Sequence, residues 1–452
     1  AVARGAATLE VGRRVVPSTP YFLRRPLQGA LYDWSATAPG ERGEPFDTAA
    51  PFVRFLRGQP GSGFAREVTF RTNDQARGEV RRPLAVVPRV DVRLDPATEL
   101  WSTSGPGVQR FSVTLTHGAR DTTAGTVGLE VPAGWPAVKP RAFRLTREDE
   151  REVFAFEVRP PAARPPGIAE IHAVARDERG TRYAVGVFTV DYPHIRPRTY
   201  VRPATATIHS APLALPPLTR VGYVRGAADR VPEALQSVGI PVVLLDAAGF
   251  QRGLDRYDAI VIGPRAYETD STLVEHNARL LQYARRGGLV IVQYQQHRFF
   301  EGKYAPFPLT VGGPRRLAED TLPARSAGTA PTRPVPTVSH DRVTDETAPV
   351  RVVAPAHPVV LRPNRLSDAD WRDWVQERGL YFARTWDSAY RPVLETHDPG
   401  EAPLEGGLLI ATVGRGAYVY TGLSFFRQLP AGVPGAFRLF ANLLALAARP
   451  AR

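Results

Sequence analysis

Two hydrophobic periods divide the chain. Up to about residue 190, apolar and polar positions alternate. Phe111, Val113 and Leu115 share one side, while Arg110, Ser112, Thr114 and Thr116 share the other. Val127, Leu129 and Val131 repeat the pattern, as do Phe154, Phe156 and Val158, and then Ile171, Ala173 and Ala175. A side-chain period of two is that of a strand with one buried face. Pro and Gly punctuate these runs roughly every eight to twelve residues, and Glu178-Arg179-Gly180 reads as a hairpin turn in which Gly180 takes positive φ. The spacing predicts an immunoglobulin-like sandwich over 89–192. Residues 1–88, with expected strands at 67–71 and 82–87 and an aromatic, turn-rich stretch at 21–34, read as a partial β domain. Residues 193–217 contain Pro193, Pro197, Pro203, Pro212, Pro216 and Pro217 and read as an extended linker.

From residue 218 the period changes. Short apolar runs at 220–225, 241–245, 258–262 and 289–294 alternate with helical stretches. One helix is expected between Asp229 and Gly239. A longer one runs from Asp270 or Ser271 to Gly287-Gly288, with Leu273, Leu280, Leu281 and Ala284 on one stripe. Strands and helices at this spacing predict right-handed βαβ units and a parallel sheet. The runs at 408–413 and 417–421, joined by Gly414-Arg415-Gly416, predict an antiparallel hairpin at one side of it. Ser367 is expected to cap a short helix carrying Trp371, Trp374 and Val375, and an amphipathic helix closes the chain at 437–447. The stretch near 313–345 is rich in Pro, Arg, Ala and Thr, has no period, and reads as a flexible insertion. The fold class is therefore multidomain: an all-β immunoglobulin-like sandwich region, then a doubly wound α/β domain over 218–452.

Composition removes several kinds of chemistry. The 452 residues include no cysteine, which excludes disulfides, thiolate nucleophiles and cysteine metal sites. They also include no methionine, so the expectation is a processed form or a piece of a longer protein. The first residues lack the basic and apolar regions of a signal peptide and look like the interior of a β domain. No apolar run reaches the ~18 residues of a membrane span. The net charge of +13 suggests nucleic acid at first sight. Its carriers argue otherwise: Lys139 and Lys303 are the only lysines, the arginines are spread along the chain, and no basic run is interleaved with aromatics. No nucleic-acid partner is expected. The compartment is not fixed by composition; periplasmic or secreted is the expectation.

In open α/β sheets ligands bind beyond the carboxyl ends of the strands, where strand order reverses. Three polar clusters follow expected strands: Gly226-Ala227-Ala228-Asp229, Gly263-Pro264-Arg265-Ala266-Tyr267-Glu268 and Gln293-Tyr294-Gln295-Gln296-His297. The ligand-binding candidates are Asp229, Arg265, Tyr267, Glu268, Gln293, Gln295, Gln296 and His297. The first cluster lacks the glycine pattern of a phosphate cradle and reads as a tight turn. Glu268 and His297 are the weak catalytic candidates, as a general base and its orienter. No serine or threonine stands at a strand-to-helix elbow here for them to activate. His276 and His297 lack the i,i+4 spacing of a metal pair, so no metal is expected. The pairs Trp371/Trp374 and Tyr381/Phe382 read as core.

The run Val221-Gly222-Tyr223-Val224-Arg225-Gly226-Ala227-Ala228-Asp229, followed by Val231-Pro232-Glu233-Ala234-Leu235, resembles the C-terminal region of bacterial PIG-L/LmbE-family deacetylases. So do the stretches 257–268, 287–294 and 418–430. The resemblance implies β-sandwich modules followed by a flavodoxin-like domain similar to class I glutamine amidotransferases. It also implies that zinc belongs to an N-terminal deacetylase domain, marked by an Ala-His-Pro-Asp-Asp motif. Here Ala356-His357-Pro358 is followed by Val359-Val360, a coincidence in the wrong domain. Where an active amidotransferase has its cysteine, this chain has Gln293-Tyr294-Gln295-Gln296. The expectation is a non-catalytic accessory segment without a cofactor of its own, whose partners are a carbohydrate or N-acetylated sugar and the parent's deacetylase domain. The alternatives are a hydrolase using Glu268 and His297, and a purely structural scaffold.

Overall fold

The computed structural model describes residues 16–447 except 29–30, 45–51, 57–62, 77, 105–106, 162–163, 193, 196, 313–314, 317–336 and 339–340. The N-terminal stretch read as the interior of a β domain, and most of the insertion expected near 313–345, lie outside the described residues. The chain is mostly β-sheet and divides into two units. The first comprises Ala1–Ala97, Arg110–Pro161 and Glu170–Ala206, and the second Thr98–Gln109, Ala162–Ala169 and Thr207–Arg452.

The first unit holds β-sandwich structure. Val90–Asp95 pairs antiparallel with Gln109–His117, and Arg151–Val158 completes that sheet. Gly167–Asp177 pairs antiparallel with Thr123–Glu130, which pairs in turn with Arg141–Leu145. Phe111, Val113, Leu115, Phe154, Phe156, Val127, Leu129 and Ile171 are buried, while Arg110 and Ser112 are exposed. Each buried Phe, Leu or Val contributes about 1.5–3 kcal/mol, which explains why the alternating face turns inward. At the expected hairpin, Gly180 has φ 79°, and the Asp177 N–H donates to the Thr181 carbonyl (3.1 Å).

Two expectations are corrected. The segment 193–217 carries strands where a linker was expected. Arg198–Pro203 pairs antiparallel with Val185–Val190, and the last five residues of Thr205–Ala211 pair in parallel with Thr98–Ser102. Pro203 ends one strand and Pro212 follows the other, positions where no ladder N–H is required of them. Near the N-terminus, Thr69–Asp74 pairs with Gly78–Pro83, so residues 84–87 lie past the strand expected to include them.

The second unit contains a seven-stranded sheet. Its strands are β1 (Val221–Val224), β2 (Val242–Leu244), β3 (Ala259–Ile262), β4 (Leu289–Val292), β5 (Tyr390–Pro392), β6 (Leu408–Val413) and β7 (Gly416–Thr421), in the order β2-β1-β3-β4-β7-β6-β5. The first five in that order are parallel, and β6 and β5 run antiparallel to their neighbours. β1, β3 and β4 are buried at every residue, as strands covered on both faces must be. The helices are α1 (Val231–Ser237), α2 (Ala247–Gln251), α3 (Ala266–Thr269), α4 (Ser271–Glu275), α5 (Asn277–Arg285), α6 (His297–Glu301), α7 (Pro358–Leu361), α8 (Phe425–Gln428) and α9 (Pro434–Leu444).

Neighbouring residues of one strand feed opposite cores. Val221, Val261, Ile291 and Val419 pack with Val231 and Leu235 of α1 and with Phe437 and Phe440 of α9. Ile260, Ile262, Val290 and Val292 pack with Phe250 of α2, Leu273 of α4, Leu280 of α5 and Phe299 of α6. The helix expected from Asp270 is split in two at His276, although Asp270 does cap α4 through the Leu273 N–H (3.1 Å). The chain leaves β1 toward one face and β3 toward the other, so strand order reverses between their carboxyl ends.

Candidate functional site

At that reversal the two loops are pressed together. The Ala227 N–H donates to the Pro264 carbonyl (2.9 Å), and the Gly263 N–H to the Val224 carbonyl (2.8 Å). A Cβ on Gly226 would run into the Pro264 carbonyl oxygen, and one on Gly263 into Asp229 Oδ2. Only glycine permits this approach at both positions. Beneath the seal runs a buried relay. Gln293 Nε2 donates to Tyr223 Oη (2.7 Å), and Tyr223 Oη donates to Asp229 Oδ2 (2.8 Å). Asp229 also accepts from the N–H groups of Gly226 and Val231 (both 3.0 Å). Burial pushes the Asp229 carboxyl above the usual range, with these donors acting the other way. Burial also raises the Tyr223 phenol, and Asp229 adds to it. Asp229 is 4% exposed and Gln293 1%. Both were expected to face a ligand; both are internal struts. Gln295 has the same character: its Nε2 donates to the Gly263 and Gln293 carbonyls (2.8 and 2.9 Å), and its Oε1 accepts from the Tyr267 N–H (3.1 Å). Tyr267 is buried, with its hydroxyl on Asn277 Oδ1 (2.6 Å).

Above the seal lies a different group of side chains. Arg265, the turn residue between β3 and α3, has φ 58° and ψ 21°. The left-handed region costs a non-glycine residue about 1 kcal/mol or more. Its guanidinium has no hydrogen bond or ion pair among the described residues, and its Nε is buried. The Arg265 N–H donates to the Tyr294 carbonyl (3.0 Å), which sets the two residues side by side. The Tyr294 ring stacks on Tyr381 (centroids 5.9 Å, 11°) and leans on Phe426 (5.0 Å), and His297 meets Tyr381 edge-on (5.9 Å). Arg427 lies over Phe426 (4.8 Å) and is ion-paired with the buried Glu377 (2.8 Å), which also holds Arg342 (3.0 Å). The Tyr294 phenol is raised chiefly by burial, while Arg265 and Arg427 pull it down.

Of the expected ligand residues, His297 meets this aromatic wall through its ring, and Arg265 adjoins it through its backbone N–H. Gln296 is half-buried at the start of α6 without a side-chain cap bond. Glu268 is half-buried, with Oε1 lacking a partner. No hydrogen bond or ion pair joins Glu268 to the exposed His297 among the described residues, so the pair expected as base and orienter is not assembled. Among those residues, no three His, Asp or Glu stand close enough to hold a metal ion. His357 caps α7 by accepting from the Val359 N–H (3.2 Å), a local structural role. Trp371, Trp374 and Phe382 are core, whereas Tyr381 is half-buried at the wall. Sequence reasoning missed Tyr294, Tyr381, Phe426 and Arg427 as site residues, and only Tyr294 carried a signal, its place after a buried strand.

No protein-family model matches the chain, and no curated protein matches it. Among solved structures, it is similar to native α2-macroglobulin from Escherichia coli, from domain MG7 to the C-terminus (18% identity, 27% of this chain, TM-score 0.18). The match spans 16% of that chain. A putative GMP synthase component from Thermoplasma acidophilum matches at 8% identity over 51% of this chain and 94% of its own, with TM-score 0.31. A PapD-like domain of human CEP192 matches at 10% over 29% and 94%, with TM-score 0.18.

Proposed function

We propose that this chain is a non-catalytic, ligand-binding segment of a PIG-L/LmbE-like, zinc-dependent deacetylase of N-acetylated sugars. Its second unit is a flavodoxin-like, doubly wound domain of the class I glutamine amidotransferase type, and the sandwich region is immunoglobulin-like. The strand order β2-β1-β3-β4 and the resemblance at 221–235, 257–268, 287–294 and 418–430 support this reading; the last three stretches contain Arg265, Tyr294, Phe426 and Arg427. The observation on which it rests is at the elbow after β3. The strained position holds Arg265, whose guanidinium is a recognition group that cannot attack a carbonyl, next to Tyr294, and the half-buried rings of Tyr381 and Phe426 adjoin Tyr294. Nearby Ser424, which does carry a hydroxyl, is fully buried and donates to the Glu377 carbonyl (2.8 Å).

Titration calorimetry of the whole chain with N-acetylglucosamine and a panel of sugars should show binding. Assays with zinc and N-acetylglucosamine compounds should show no acetate release. Turnover, or failure to bind any sugar, would overturn the reading.

A further inference from the structure

Several arginines of this unit have a carboxylate partner. Arg225 pairs with Glu233 (2.5 Å), and Arg342 and Arg427 with Glu377. Arg384 stands 3.8 Å from Asp341. Arg265 differs from these four. It is half-buried, its Nε is out of reach of water, and it has no carboxylate among the described residues. The buried Nε therefore goes without the hydrogen bond that burial normally demands. Glu268, one turn away, leaves Oε1 unpartnered without turning to it. The backbone at Arg265 is strained where glycine or asparagine would sit more easily. Strain retained together with an unpaired charge implies that the side chain is wanted where it is. The hydroxyl of Tyr294, the residue whose carbonyl accepts from the Arg265 N–H (3.0 Å), also makes no hydrogen bond among the described residues.

We propose that Arg265 receives the oxyanion of an acidic sugar, a carboxylate or a phosphate, with the Tyr294 hydroxyl as a second donor. The inference rests on the reading of this wall as a sugar site and narrows it to anionic sugars. A planar fork of N–H donors suits either oxyanion, and bidentate pairing supplies orientation as well as strength.

The test compares three ligands by calorimetry: glucuronic acid, glucose 6-phosphate and neutral N-acetylglucosamine. The expected result is binding of one or both acids about tenfold or more tighter than the neutral sugar, the size of one charge-assisted contact. Which acid binds identifies the oxyanion. Arg265→Gly should abolish that preference without lowering the melting temperature, since glycine relaxes the left-handed turn. Arg265→Lys should keep part of the preference, having charge without the fork. Equal binding of all three ligands, unchanged in Arg265→Gly, overturns the inference and leaves the sugar site standing. No binding of any ligand overturns both. A loss of preference accompanied by a fall in melting temperature also counts against the inference, because it makes Arg265 a structural residue.

Discussion

Gly226 and Gly263 decide what faces solvent at the strand ends. They let two backbones touch, and that contact buries Asp229 and Gln293, which would otherwise line an open crevice. The rule that residues after strands are exposed failed at these two positions for that reason. The sequence held a signal, a glycine directly after each apolar run or one residue beyond it, but close approach is only one of several reasons for glycine in a turn. Arg265 was legible as a site residue from its place after β3; its left-handed backbone was not, because arginine carries no preference for it. Tyr381 was not legible at all, since its segment reaches the wall only through tertiary folding. Gly263→Ala places a methyl against Asp229 Oδ2 and 2.6 Å from the Gly226 nitrogen. The variant should lose about 2–3 kcal/mol of stability, as overpacked sites do. Urea denaturation measures this, and an unchanged midpoint would show that the loops yield.

The elements themselves were legible where burial is two-sided. Ala259–Ile262 and Leu289–Val292 are unbroken apolar tetrads, and nothing but a covered strand accommodates them at that length. Thr205–Ala211 was not, because proline density nearby masked an alternation in which Ala206, Ile208 and Ser210 point inward. The start of β1 depends on a single carboxylate. Asp258 Oδ2 accepts from the N–H groups of Thr219 (2.6 Å) and Arg220 (2.9 Å) and from the Thr219 hydroxyl (2.9 Å). Burial acts to raise its pKa, yet these donors outweigh it and hold the carboxyl below its usual range. A carboxyl depressed in the folded state stabilises at pH above its unfolded value, about 3.9. That stability is lost as pH falls through the lower folded value. Asp258→Asn should cost roughly 1 kcal/mol at neutral pH. Its denaturation midpoint should fall less steeply than that of the parent below about pH 4. Parallel curves would remove Asp258 from the account.

At the scale of the molecule, the second unit is discontinuous in sequence. Its parallel strand pair Thr98–Ser102 and Thr207–Ala211, together with the Gln109 Nε2 bond to the Ser237 carbonyl (3.1 Å), joins a segment from within the first unit's sequence to the residues that follow that unit. Leu100, Ala211 and Leu213 share a core with Val231 and Leu235 of α1. A boundary at 217/218, natural from proline content, cuts through that core. A fragment of residues 218–452 should therefore melt below the whole chain and bind a dye for exposed apolar surface, since losing one buried leucine alone costs about 2–5 kcal/mol. Equal melting of the fragment would show that α1 needs no cover. The same pairing has a consequence in time. During synthesis Thr98–Ser102 leaves the ribosome about a hundred residues before its partner, and at roughly 5–20 residues per second that is a wait of about 5–20 s. Through that interval the strand is an open ladder with Leu100 beside it, and a nascent chain stalled before residue 207 holds it open for as long as the stall lasts.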